Sequence, residues 1–224
     1  MKTNSNSYTI IYASVIVVIV AFLLAFTNSA LKARQNRNIE LDTKKQILSS
    51  LNIRDVKDVE KEYNTYVKND MLLQPDGTLL INDGKFSTNF SDEFANKRLH
   101  VFMCSVNGET KYVFPLYGAG LWGGIWGYVA LNSDRNTVFG TYFSHQSETP
   151  GLGAEIASLK FQNEFAGKKA VKDGGVALSV VKFGKVKDSA YEVDGISGGT
   201  ITSKGVDAMI KNCLGHYKVF LNNK

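Results

Sequence analysis

Between Ile10 and Phe26 the chain reads IIYASVIVVIVAFLLAF, without one charged side chain. With Tyr8, Thr9 and Thr27 the stretch approaches the roughly 20 residues that a helix needs to cross a bilayer. It is longer than the apolar region of a usual secretory signal, and Lys2 is the only charged side chain ahead of it. The expectation is a single N-terminal transmembrane anchor over residues 1–30 rather than a cleaved leader, for which Asn28-Ser29-Ala30 offers a weak small-residue site. Lys32, Arg34, Arg37, Lys44 and Lys45 follow the run, and taken alone this bias places the rest of the chain in the cytoplasm.

The remainder mixes polar and apolar residues as a soluble domain does, and 224 residues leave room for one domain of ordinary size beyond the anchor. Residues 31–70 read as a helical membrane-proximal segment. Ile39, Leu41, Ile47, Leu48 and Leu51 are loosely helical in spacing, and Val56, Val59, Tyr63 and Val67 recur at three and four. Residues 71–224 read as a mixed α+β domain. Met71 to Lys97 is expected to be rich in strands and turns, with Pro75-Asp76-Gly77 and Asn82-Asp83-Gly84 as turn signals. Leu99 to Val106 and Tyr112 to Phe114 read as a hairpin closed at Asn107-Gly108. Further strands are expected at Tyr128 to Leu131, Thr137 to Phe143 and Val176 to Phe183, and Val219 to Leu221 as an edge strand. A helix with Ile156, Leu159 and Phe165 on one side is expected to start near Ala154. The clearest pattern is the last: Val206, Met209, Ile210, Cys213, Leu214 and Tyr217 mark an amphipathic helix.

That helix begins at Asp194-Gly195-Ile196-Ser197-Gly198-Gly199-Thr200, a hydroxyl- and glycine-rich turn. Exposed N–H groups at a helix start, with the positive end of the dipole behind them, favour an anion such as a phosphate. The plainer reading is a strand-to-helix turn with Thr202 or Ser203 as N-cap. Two other stretches are equally constrained. Gly118 to Gly127 (GAGLWGGIWG) bends backbone closely around two tryptophans, either as packed β structure or as the wall of a cofactor site. His145 to Gly153 (HQSETPGLG) turns at Pro150-Gly151 and offers Glu148 and Thr149 beside the turn.

Gly195 to Gly199 also fits the G-x-S-x-G pattern of a serine-hydrolase elbow. The acid and histidine would have to follow Ser197, and Asp207 and His216 lie about 13 Å apart along one helix at about 1.5 Å per residue, too far for a triad. His100, His145 and His216 have no metal-ligand spacing, and Cys104 and Cys213 form no C-x-x-C pair. A net charge of +5 with scattered basic residues does not indicate nucleic-acid binding. Two glycine-rich segments, a tight Glu-Thr-Pro turn and a hydroxyl-rich helix start suit a nucleotide-like cofactor better than acid–base work.

Taken together, HQSETPGLGAEI (145–156), DGISGGT (194–200) and GLWGGIWGYVAL (120–131) resemble the FMN-binding domain of the C-type subunit of the sodium-translocating NADH:quinone reductase. The anchor followed by LDTKKQIL fits the same family, and the related G-type subunit of the Rnf electron-transport complex shares the flavinylation motif and the ETPGLG turn. The resemblance implies an electron-transfer subunit with FMN joined by a phosphoester to Thr200, in a complex that oxidises NADH, reduces ubiquinone or menaquinone and exports sodium. The family motif has alanine where this chain has Gly199. Asp194 matches the motif's leading aspartate, associated with a flavin transferase, and Ser197 and Gly198 lie in the presenting loop. Glu148, Thr149, Leu152 and Gly153 would line the flavin, and Leu121 and Trp122 extend that assignment to a wall. The implied partners are the other subunits of the complex, the flavin transferase and membrane lipid. The implied location is the bacterial inner membrane with the FMN domain outside the cytoplasm, against the charge bias. A rival reading from another class is a cofactor-free, membrane-anchored interaction module.

Overall fold

The computed structural model describes residues 5–82 and 86–223. The chain packs as two compact units, Met1–Asp42 and Thr43–Lys224. The first is most of helix α1 (Asn6–Ser50), whose apolar run is exposed throughout and which is long and apolar enough to cross a membrane. The helix continues without a break beyond the expected anchor boundary at residue 30. Its last turns belong to the second unit, where Ile47 and Leu48 are fully buried.

The second unit is built on an antiparallel sheet of six strands: β1 (Val67–Leu73), β2 (Leu79–Ile81), β3 (Leu99–Val106), β4 (Glu109–Ala119), β5 (Gly124–Asn132) and β6 (Val138–His145). Their order is β2-β1-β3-β4-β5-β6, so chain neighbours from β3 onward are also hydrogen-bonded neighbours. Side chains alternate between the faces of a strand, and here each face has its own core. Leu99, Val101, Phe114, Leu116, Ile125, Val129, Leu131 and Phe143 lie on one face. Phe102, Cys104, Val113, Tyr128 and Ala130 lie on the other. Register keeps the sets apart, with Phe114 opposite Val129 and Val113 opposite Ala130. The α+β expectation holds.

Helix α5 (Thr200–His216) covers the first face with Val206, Met209, Ile210, Cys213 and Leu214, as its spacing predicts. The second face is covered by the end of α1, by α2 (Val59–Tyr66) with Tyr63, and by α3 (Phe90–Ala95) with Phe90. Cys104 and Cys213 are both free, and they lie on opposite faces.

Several sequence expectations are corrected. Helix α2 starts at Val59, because the Asp58 carboxylate caps it by accepting from the Lys61 N–H. It stops before Val67, which enters β1, so a strand runs through the expected boundary at residue 70. The segment after β2 contains helix α3, capped by Asn89, rather than turns and strands alone; Asp83 and Gly84 lie outside the described residues. The expected helix at Ala154 is a 3-10 turn (Gly153–Ala157) followed by the short α4 (Leu159–Asn163), and Leu159 is exposed. Residues 176–183 hold no single strand: β8 (Gly175–Val176) pairs with β7 (Val171–Lys172), while β9 (Ser179–Val181) pairs in parallel with β10 (Glu192–Asp194). The tail is not a strand but helix α6 (Lys218–Asn222). Short apolar runs carry no period that separates buried helix from strand.

Candidate functional site

Three segments converge at the start of α5. The first is the β4–β5 turn with Leu121 and Trp122, the second the loop after β6 with Glu148, Thr149, Leu152 and Gly153, and the third Gly198 to Thr202. Together they line a cavity of about 470 Å³, within the roughly 300–1,000 Å³ usual for small-molecule sites. Close approach of helix to sheet makes this possible. A Cβ at Gly205 would collide with the Ala119 carbonyl oxygen, so only glycine lets the second turn of α5 rest on the end of β4. Strand β5 begins at Gly124 rather than at Tyr128, so the glycine-rich stretch is a hairpin and not an open loop.

The helix starts at Thr200, with Gly199 at the N-cap and no side-chain cap. The expectation of Thr202 or Ser203 as N-cap is therefore corrected: both are buried inside the first turn. The Ser203 hydroxyl donates to the Gly199 carbonyl at 2.8 Å and accepts from the Ile196 N–H at 2.9 Å, which ties the loop to the helix. Gly198 turns the loop at φ +77°, and a Cβ there would lie 2.7 Å from Leu152 Cδ2. The Thr200 side chain is partly exposed and makes no hydrogen bond among the described residues. The first N–H groups of a 17-residue helix thus open on the cavity without a cap, an arrangement that favours an anion.

The walls are apolar and uncovered. Trp122 is 65% exposed and Ile201 57%, with Leu121 and Leu152 also exposed. Opposite polarity sits behind them in Glu148, which is buried. Burial works against its charge, but hydrogen bonds from the Thr202 hydroxyl and from the Trp122 and Leu121 N–H groups, with His145 nearby, outweigh it and hold the carboxyl below its ordinary range. An anion-binding helix end beside an apolar, aromatic wall fits a flat ring carrying a phosphate, and FMN has that shape.

Of the expected site residues, Asp194 and Ser197 are not in this cavity. They line an adjoining hollow of about 280 Å³ with Glu164 and Phe183. Asp194 Oδ1 accepts from the N–H groups of Gly184 at 2.8 Å and Lys185 at 3.3 Å, so it shapes the neighbouring loop. Trp126, the other tryptophan of the glycine-rich stretch, instead donates from Nε1 to Gln46 at 3.0 Å. Ile201 and Thr202 are cavity residues that sequence reasoning misses: the Thr202 hydroxyl at a helix start reads first as a cap, and Ile201 is an exposed apolar residue outside the helix's apolar spacing. Among the described residues the elbow pattern gains no partners: Asp207 accepts from Ser179 and from the Val180 N–H, His216 packs on Phe94, and His145 Nδ1 accepts from the Glu148 N–H.

Comparison with known proteins agrees with this geometry. Residues 120–215 match the FMN-binding domain family, a span that starts at the β4–β5 turn and ends in α5, enclosing all three cavity segments. The C-type subunit of the Na(+)-translocating NADH-quinone reductase of Haemophilus ducreyi is 31% identical over 95% of this chain and 91% of that protein. The chain belongs to the family of C-type subunits of the Na(+)-translocating NADH-quinone reductases. The corresponding subunit of Pasteurella multocida is 44% identical over a shorter stretch, 47% of this chain and 41% of that protein. Among solved structures, the family member from Parabacteroides distasonis is 44% identical, covers 87% of this chain and 98% of that one, and superposes with a TM-score of 0.82. NqrC of Shewanella oneidensis, 24% identical with a TM-score of 0.71 over 83% of this chain and 97% of that one, shares the fold. As a member of this family, the chain is a component of a membrane electron-transfer complex.

Proposed function

We propose that FMN is joined to Thr200 through a phosphoester and that this chain relays electrons within a sodium-translocating NADH:quinone reductase. One observation carries the reading: Thr200, whose hydroxyl has no hydrogen-bond partner among the described residues, stands at the uncapped start of α5 on the rim of an apolar cavity inside the matched FMN-binding span. FMN, when bound, supplies the redox chemistry. The chain's own residues hold and orient it. The first N–H groups of α5 would hold the phosphate, Leu121, Trp122, Leu152 and Ile201 would shield the ring from water, and an ester at Thr200 would fasten the cofactor while leaving the ring free. A relay that docks between partners gains by never releasing its cofactor.

Electrons originate at NADH in another subunit and leave to ubiquinone or menaquinone, with sodium export. A flavin transferase installs the FMN, and its action outside the cytoplasm would put the domain on the periplasmic side of the inner membrane with α1 in lipid. The near full-length similarity to the Haemophilus ducreyi protein favours this complex over the Rnf complex and its G-type subunit.

Co-expression with a flavin transferase, followed by denaturing electrophoresis under ultraviolet light, tests the attachment. A fluorescent band is expected in wild type and in Ser197→Ala and absent in Thr200→Ala. A dark wild-type band would return the reading to a cofactor-free interaction module, and loss only in Ser197→Ala would move the attachment. Reporter fusions at the C-terminus test the side of the membrane, and a cytoplasmic signal would overturn the periplasmic placement.

A further inference from the structure

Glu148 is only 4% exposed, yet its carboxyl is held in the charged form and belongs to the cavity. Its Oε1 accepts from the Trp122 N–H at 2.8 Å and its Oε2 from the Thr202 hydroxyl at 2.6 Å. Its own N–H donates to His145 Nδ1 at 3.2 Å. One side chain thus joins the β4–β5 turn, the loop after β6 and the first turn of α5, three segments distant in sequence. The space is built for it. A Cβ at Gly120 would collide with Oε1, and one at Gly153 with Oε2. A buried carboxylate is costly unless hydrogen-bonded, and its two acceptor oxygens answer donors that converge from the β4–β5 turn and from α5. Glutamine has one acceptor and would turn an NH₂ toward the other donor.

We infer that Glu148 is the positioning residue of the flavin site: it fixes the Trp122 wall against the helix start that carries Thr200, so that seating of the ring depends on Glu148 while the bond to the chain depends on Thr200. The inference rests on the FMN reading. It divides the work of the site between an ester that retains the cofactor and a buried anion that sets its pose.

The test uses the full-length protein, with and without flavin, as wild type, Glu148→Gln, Thr202→Val and Thr202→Ser. Amide exchange at Trp122 in the flavin-free protein reads the tie directly. Weakening a hydrogen bond to a charged group is expected to lower protection there by about tenfold in Glu148→Gln, and protection also falls in Thr202→Val. In the loaded protein, flavin anisotropy per covalently bound flavin should fall in both variants. The midpoint potential should rise in Glu148→Gln, where a buried negative charge is lost, and stay near wild type in Thr202→Ser, which keeps the hydroxyl. Unchanged Trp122 exchange or unchanged anisotropy in Thr202→Val would overturn the inference, and that variant decides if Glu148→Gln does not fold. A dark wild-type band defeats the FMN reading and this inference with it. A fluorescent wild type with an unaltered Thr202→Val defeats the inference alone.

Discussion

Glu148 leaves a pH signature at the scale of single residues. Its carboxyl is held below the ordinary range in the fold, so the unfolded chain binds its proton at higher pH than the native one. The stability it contributes is present above the unfolded value and is lost as pH falls through the folded one. Thermal melts from neutral to acid pH should therefore show a shallower decline in Glu148→Gln than in wild type. The two tryptophans are predicted to separate as well. Trp126→Phe removes the bond to Gln46 and should cost about 0.5–1.5 kcal/mol without changing the flavin spectrum. Trp122→Ala should change the spectrum with little loss of stability, since that side chain is exposed. In the sequence the pair reads as one glycine-flanked unit; only the strand alternation of β5 shows that Trp126 turns away. Likewise the phosphate-friendly turn over 194–200 is legible in the sequence, and Thr200 is singled out in it by the family resemblance, whereas the Thr202–Glu148 tie spans 54 positions and leaves no local pattern.

The decisive element is α5, whose apolar spacing makes it readable in the sequence to within a few residues. What spacing does not reveal is how near the helix lies to the sheet. Gly205 sits one turn into α5, where alanine would ordinarily stabilise a helix by about 1 kcal/mol. Its Cβ would strike the Ala119 carbonyl, and such overpacking costs typically about 1–3 kcal/mol. The clash should win, and Gly205→Ala is expected to lower the melting temperature and displace the β4–β5 turn, read as a shifted flavin spectrum. The elements that escape prediction share a cause. β7 to β10 are two or three residues long and α6 is five. At those lengths burial against α5 and the sheet selects the conformation, and periodicity has too few residues to register.

For the molecule as a whole, the sheet divides two cores that alternate residue by residue along its central strands β3, β4 and β5. The class of fold is legible because that alternation and the α5 pattern are both strong; the division into two cores depends on pairing register, which one strand's sequence does not contain. The division predicts different consequences for equal damage. Leu48→Ala, in the core under the end of α1, should cost about 2–5 kcal/mol and leave the flavin spectrum unchanged. Met209→Ala, on the face that carries the cavity, should cost a similar amount and alter the spectrum. Chemical denaturation with flavin absorbance as a second probe distinguishes them. Viewed as mechanics, the last turn of α1 is a clamp. A pull along that helix would load Ile47 and Leu48, which pack on one face of a hydrogen-bonded plate, whereas α5 and its cavity lie on the other face. Attachment at the end of α1 and cofactor seating at the start of α5 therefore draw on different cores of one sheet.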